Sequence, residues 1–116
     1  MESPIQSFSR LLTRDYDMDG ITLPAGSRAI LFYGAANRDE RKFPNPNAFD
    51  VTRGSAEQIA FGSGPHMCVG LHLARLEMAA IFRALATRVG RFHIEEEVRN
   101  LNNVLRGFSK LIVSVE

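Results

Sequence analysis

The residues best suited to chemistry lie in one short segment, 61–70, which reads FGSGPHMCVG. It contains Cys68, the only cysteine among 116 residues, so no internal disulfide can form. The long apolar stretch after it has the pattern of a helix. The first N–H groups of a helix are unpaired and its dipole is positive at that end, which stabilises a nearby thiolate. The pattern therefore indicates an anionic sulfur ligand for a metal.

A zinc site is the alternative metal chemistry that these residues allow. Cys68 and His72 lie one helical turn apart, with His66 close by in sequence, so they could share a zinc ion. A fourth ligand at suitable spacing is missing, because the next histidine, His93, lies far along the chain. The spacing therefore favours a single sulfur ligand over a zinc cluster.

One long helix over 69–89 must hold this segment in place. Leucine, alanine, methionine and phenylalanine cover most of its sides, and Gly90 is a suitable residue to end it. A helix that is apolar on most sides is usually buried in a larger body. We therefore predict one long buried helix.

The remaining residues predict a small antiparallel sheet, an irregular stretch and terminal strands. Over 1–33, an Asp19-Gly20 turn and a second turn at 23–26 separate extended runs, the last being a buried apolar strand over 28–33. Residues 34–60 show little periodicity, and loops of such length are usually functional. Residues 91–116 read as strands. The prediction is a single α+β domain over 1–116.

Composition limits the function classes. Hydrophobic residues make up 45% of the chain, and the net charge of +1 does not suggest a nucleic-acid partner. There is no membrane segment and no apolar signal sequence after Met1. A free thiol is typical of a reducing compartment. We expect a protein of a reducing compartment such as the cytoplasm.

Segment 61–70 matches every fixed position of the signature F-G-x-G-x-H-x-C-x-G. It resembles the cysteine-ligand loop of the cytochrome P-450 haem-thiolate monooxygenases, and the run 73–77 is similar to the start of the helix after the cysteine in that family. The stretch 37–53 resembles the family's meander, with Glu40 where proline is frequent. Residues 9–20 resemble the strand pair after the K helix. The resemblance spans the chain but only the C-terminal quarter to third of a usual member.

The resemblance implies the fold and the cofactor. The fold is the C-terminal fragment of the cytochrome P-450 fold: a small antiparallel sheet, the meander over 34–60, the Cys-ligand loop over 61–70, an L-like helix and a terminal β-hairpin. Cys68 is expected to be the axial thiolate to the iron of haem b. The other residues expected to bind the cofactor are Phe61 beside the sulfur, the loop glycines Gly62, Gly64 and Gly70, and His66 and Arg10 at the propionates.

The resemblance also implies a source and partners, since the short meander without visible insertions is similar to the soluble bacterial members of the family. An electron-donor protein, a ferredoxin or a flavoprotein, would dock on a basic proximal face. Residues at 4–8 and 107–108 are expected near a small organic substrate in the full-length enzyme. The basic side chains of that face are expected to be Arg41, Lys42, Arg75, Arg83, Arg88 and Arg91.

Two family features have no counterpart in this sequence. We find no acid–threonine pair for handling oxygen, and the one Glu-x-x-Arg, Glu96 to Arg99, comes after the cysteine instead of preceding it. Arg53 corresponds to the meander arginine that joins the absent Glu-x-x-Arg pair. We therefore assign no catalytic residue to this chain, and whether it is an enzyme by itself stays open. The alternative is a non-catalytic truncated fragment that folds, or forms a homo-oligomer, without an active site.

Overall fold

The computed structural model describes residues 3–54 and 57–116. The chain forms two compact units, Met1–Ala60 and Phe61–Glu116. The single domain over 1–116 stays a prediction. No helix in the described ranges is both long and apolar enough to cross a lipid bilayer.

Over residues 3–54 and 57–60, the first unit contains four strands in two separate sheets. Strand β1 (Ser7–Leu11) pairs antiparallel with β4 (Arg28–Phe32), and β2 (Tyr16–Met18) pairs with β3 (Ile21–Leu23). The predicted small antiparallel sheet is confirmed, with the difference that the described strands form two separate pairs, β1 with β4 and β2 with β3.

The predicted Asp19-Gly20 turn is confirmed. Both residues have positive φ, 52° and 83°, which is the geometry of a two-residue hairpin turn. Strand β4 differs from its prediction, since Ile30, Leu31 and Phe32 are exposed instead of buried. A two-stranded sheet has two faces, and the described chain leaves these three side chains uncovered.

A small buried cluster holds the first unit together. The short helix α1 (Tyr33–Ala36) comes after β4, with Asn37 directly behind it. The Asn37 side chain is only 1% exposed; its Nδ2 donates to Oγ of Ser3 over 2.7 Å, and its Oδ1 accepts the N–H of Ile59 over 2.9 Å. The phenol ring of Tyr33 packs edge-on against the ring of Phe8, with centroids 6.0 Å apart. Polar and aromatic contacts thus share this core.

The predicted irregular stretch is closed on itself by Arg53. Its Nη1 donates to the carbonyl of Pro44 over 2.8 Å, and its Nη2 donates to that of Asn45 over 2.9 Å. Asn45 has a positive φ of 50°, a conformation that asparagine tolerates. The guanidinium therefore has partners within the meander itself, and its role in a network with an absent Glu-x-x-Arg pair stays a prediction.

The Asp39 carboxyl gives a testable pH dependence in this unit. Hydrogen bonds from the Arg41 side chain, then from its backbone N–H, lower the pKa of Asp39 to about 2 from 3.8. Because the pKa is depressed in the folded chain, the stabilising contribution is present above pH 3.8 and is lost as the pH falls through about 2. In an NMR titration we expect Asp39 to protonate near pH 2 and Arg41→Ala to raise its pKa. Protonation near 3.8 in the unmodified chain would contradict this.

The second unit begins with the segment 61–70 and continues into helix α2 (Leu71–Ala86) and strands β5 (Phe92–Arg99) and β6 (Phe108–Val115). The two strands pair antiparallel, which confirms the terminal hairpin. Helix α2 is shorter than predicted at both ends. Gly90 does not end it: the C-cap is Thr87, and the N–H of Gly90 donates to the carbonyl of Glu116 over 2.7 Å. That glycine belongs to the hairpin.

The long helix is predicted to be buried, but most of its side chains are exposed in this chain taken alone. Within α2 only Leu71 is buried, whereas Leu76 is 67% exposed and Phe82 65%. The reason is that neither strand of the terminal hairpin packs along it. The apolar sides that predicted a buried helix are present, but the second unit does not supply what would cover them.

Candidate functional site

The segment 61–70 folds as a loop that a backbone hydrogen bond closes. The N–H of Cys68 donates to the carbonyl of Phe61 over 2.8 Å. Inside the loop, residues Gly64–His66 form a 3₁₀ turn, and the N–H of Met67 donates to the carbonyl of Gly64 over 3.0 Å. The loop thus returns to its start at the cysteine, just before the helix.

Two of the three loop glycines adopt the positive φ expected of them. Gly62 has a φ of 76° and Gly64 one of 60°. A Cβ on Gly62 would lie 2.8 Å from the backbone oxygen of His66, closer than real Cβ contacts allow. Gly70 has a φ of −83°, which any residue adopts, so positive φ does not explain this glycine. A Cβ on Gly70 would instead lie 3.9 Å from Sγ of Cys68.

The thiol of Cys68 is exposed and lies at the start of α2. The carbonyl of Cys68 accepts the N–H of Leu71 over 3.2 Å, which ties the residue to the first helical turn. Among the described residues we find no partner for the N–H groups of Val69 and Gly70. These are the free donors that sequence reasoning expects after the cysteine, and they can donate to an anion at the sulfur.

The two residues expected at the propionates belong to different units. His66 is exposed at the end of the 3₁₀ turn in the second unit. Arg10 lies in β1 of the first unit, where its Nη1 donates to the carbonyl of Ser9 over 3.0 Å. Both side chains have N–H groups that can donate hydrogen bonds to a carboxylate. Their roles in binding the cofactor stay predictions.

The zinc alternative receives no support. Among the residues that the structure describes, no group of three or more His, Cys, Asp or Glu side chains could hold a metal ion. A structural zinc site takes four such ligands. A haem iron needs only one axial side chain from this loop, so the donor set fits a haem and not a zinc cluster.

Three of the six cations predicted for a basic face have acidic partners in the described chain. Arg41 pairs with Asp39 over 2.6 Å and Lys42 with Glu57 over 2.9 Å. Arg91 lies 3.7 Å from Glu116. These partners neutralise three of the six predicted cations. The side chains that have no acidic partner in the described chain are Arg75, Arg83 and Arg88.

Comparison with known proteins decides the family. A family model described as Cytochrome P450 matches residues 1–113. The chain belongs to the cytochrome P450 family. This confirms the resemblance noted in the sequence and, with the mixed helix and sheet, the fold class.

Individual P450 relatives match almost the whole chain. Cytochrome p450 CYP199A2 of Rhodopseudomonas palustris is 42% identical over 115 residues, which is 98% of this chain and 28% of that protein. Linalool 8-monooxygenase of Pseudomonas putida is 37% identical over 96% of this chain and 28% of its own length. The crystal structure of P450BioI with a ligated acyl carrier protein superposes with a TM-score of 0.92 at 36% identity, covering 99% of this chain and 30% of that one. The chain thus spans less than a third of the length of these P450 proteins, which are haem-iron oxidoreductases.

Sequence reasoning gave no role to Asn37, the first residue of the stretch that resembles the meander. The structure shows that it is almost wholly buried and bonded to two distant segments. No local pattern in the sequence could have indicated these hydrogen bonds, because Ser3, Asn37 and Ile59 lie far apart in the chain.

Proposed function

We propose that this chain is the haem-thiolate-binding segment of a cytochrome P450 monooxygenase, with Cys68 as the axial ligand. The observation that carries the proposal is the closed loop, which presents one exposed thiol beside unpartnered backbone donors in a chain of this family. The packing within the loop also fits, since a side chain at position 62 would collide with the backbone oxygen of His66.

Each residue of the loop has a defined task in this proposal. The chemistry that a thiolate-bound haem supplies is cleavage of O₂, with one oxygen atom passing to an organic substrate. Cys68 provides the negative sulfur, and the N–H groups of Val69 and Gly70 donate towards it and moderate its charge. Phe61 is proposed to pack beside the sulfur once haem covers the exposed thiol. His66 and Arg10 would each donate a charge-assisted hydrogen bond to a propionate.

The proposed partners follow from the assignment of Cys68 as the ligand of a haem. An electron-donor protein, a ferredoxin or a flavoprotein, would meet Arg75, Arg83 and Arg88, whose charges are not neutralised by acids of the described chain. Complementary charge speeds such encounters and makes them sensitive to salt. The substrate is proposed to be a small organic molecule bound in the longer enzyme, and the free thiol suits a reducing cytoplasm.

The test is the carbon monoxide spectrum of the haem-loaded chain. The 116-residue chain is titrated with haem, reduced without oxygen and exposed to carbon monoxide. We expect the Soret shift of a thiolate-ligated haem. A second sample carries these residues in place of the matching segment of the Rhodopseudomonas palustris relative, so that a fold lost in isolation is restored. A carbon monoxide spectrum without thiolate character in both samples would refute the proposal.

A second candidate function is association without haem chemistry. The observation that favours it is the exposed apolar surface, which includes Leu76 and Phe82 on α2 and Phe49 and Val51 in the meander. Large exposed apolar patches promote association. Size-exclusion chromatography with light scattering is expected to give a mass above 12.9 kDa at micromolar concentration. A clean monomer would exclude this candidate.

A further inference from the structure

We propose that Asn37 is a positioning residue for the Cys68 loop and acts through the backbone N–H of Ile59. The inference rests on the proposed function, because the loop matters only if it presents Cys68 to a ligand. It assigns to an amide outside the loop the task of fixing the chain just before the loop starts.

The first step is that the Asn37 amide is buried and that its nitrogen and its oxygen each have a hydrogen-bond partner. The side chain is 1% exposed, its Nδ2 donates to Oγ of Ser3, and its Oδ1 accepts the N–H of Ile59. Ser3 is itself fully buried, and its hydroxyl also donates to the carbonyl of Tyr33. A buried amide that loses one partner leaves an unsatisfied polar group, so each bond holds its partner firmly.

The second step is the short path from Ile59 to the cysteine. Ile59 lies two residues before Phe61, and the carbonyl of Phe61 accepts the N–H of Cys68 over 2.8 Å. The chain from the N–H of Ile59 to the carbonyl of Phe61 comprises three residues, which span at most about 11 Å when extended. Fixing the N–H of Ile59 therefore restricts the position of the acceptor that closes the loop on Cys68.

The third step is the weakness of the other anchors near this point. Lys42 and Glu57 form an ion pair, but both side chains are more than half exposed, and exposed pairs contribute little. The Oε1 of Gln58 accepts the N–H of Ala60, a bond that spans two residues and ties them to nothing distant. Of the described contacts over 57–60, the part-buried bond that Ile59 donates to Asn37 is the one that reaches a distant segment without depending on exposed charges.

The test is amide hydrogen exchange in the full chain without haem. Asn37→Ala removes the acceptor for Ile59, whereas Ser3→Ala removes the other partner of the amide and keeps that acceptor. We expect Asn37→Ala to speed exchange at both Ile59 and Cys68 by about tenfold or more. Ser3→Ala should leave exchange at Cys68 within about twofold of the parent chain. The amide of Gly90, in the terminal hairpin, reports general loss of stability.

A purely structural role for Asn37 predicts a different pattern. The inference would be overturned if Asn37→Ala left the exchange rate at Cys68 unchanged. It would also be overturned if Ser3→Ala raised exchange at Cys68 as much as Asn37→Ala does, or if Asn37→Ala raised exchange at Gly90 by the same factor as at Cys68. If Asn37→Ala does not fold, an ester in place of the Gln58–Ile59 amide deletes only the donor, and the same outcomes apply. The measurement needs no haem, so its failure is separate from a failure of the proposed function. In a haem-loaded sample, Asn37→Ala should also speed haem release more than Ser3→Ala does.

Discussion

Replacing Cys68 by serine or alanine is expected to abolish the thiolate-type carbon monoxide spectrum completely. Cys68 is the only cysteine, so no other residue can supply sulfur as a thiolate. Serine is close in size but its hydroxyl does not ionise readily, and alanine has no ligand atom. Helix content measured by circular dichroism should change little, because the thiol is exposed and α2 begins only at Leu71.

The matched control for this experiment is Ser63→Ala, in the same loop. The Ser63 hydroxyl makes no capping hydrogen bond, and the residue is exposed, so its removal should leave both spectrum and fold unchanged. A thiolate spectrum that persists in Cys68→Ala would assign the ligand to another molecule. If Ser63→Ala lost the thiolate-type spectrum to the same extent, the loss would report disruption of the loop and not removal of the sulfur.

Gly62→Ala is expected to produce the second-largest loss of haem binding. The new Cβ would meet the backbone oxygen of His66 at 2.8 Å, and the residue must keep a φ of 76°. Strain at positive φ costs about 1–3 kcal/mol, and the backbone contact adds to it because no flexible side chain can move away. Since about 1.4 kcal/mol corresponds to a tenfold change in affinity, we expect haem affinity to fall at least tenfold in an equilibrium titration.

Two other glycines separate the causes of that loss. Gly64→Ala introduces strain at a φ of 60° but meets nothing within 4 Å, so its effect should be smaller. Gly107→Ala lies in the terminal hairpin region with open space and ordinary φ, and it should bind haem like the parent chain. Equal affinities for the Gly62 and Gly64 variants would show that the contact with His66 is unimportant.

Local signals in the sequence predicted the elements well. Asp19-Gly20 encodes a turn by its tolerance of positive φ, and the structure has both residues there. The apolar periodicity after Cys68 encodes a helix, and α2 spans most of the predicted range. The loop glycines at 62 and 64 also adopt the conformation that their residue type permits. Each of these features depends on neighbours in sequence.

Features that depend on distant residues were not predictable in the same way. Gly90 resembles a helix stop, yet its N–H bonds to the carbonyl of Glu116 at the other end of the hairpin. The strand over 28–32 has a buried composition but exposed side chains, because composition does not specify what covers it. The pairing of Lys42 with Glu57 and of Arg91 with Glu116 also gives acidic partners to two cations that residue counting assigns to a basic face. Tertiary partners decide all three.

The most direct measurement of the central claim is X-ray absorption at the iron edge of the haem-loaded chain. It identifies the atom bound to iron on the protein side without relying on turnover or on a partner protein. We predict one sulfur scatterer in the parent chain that is absent in Cys68→Ser. An iron environment made only of nitrogen and oxygen in the parent chain would contradict Cys68 as the axial ligand.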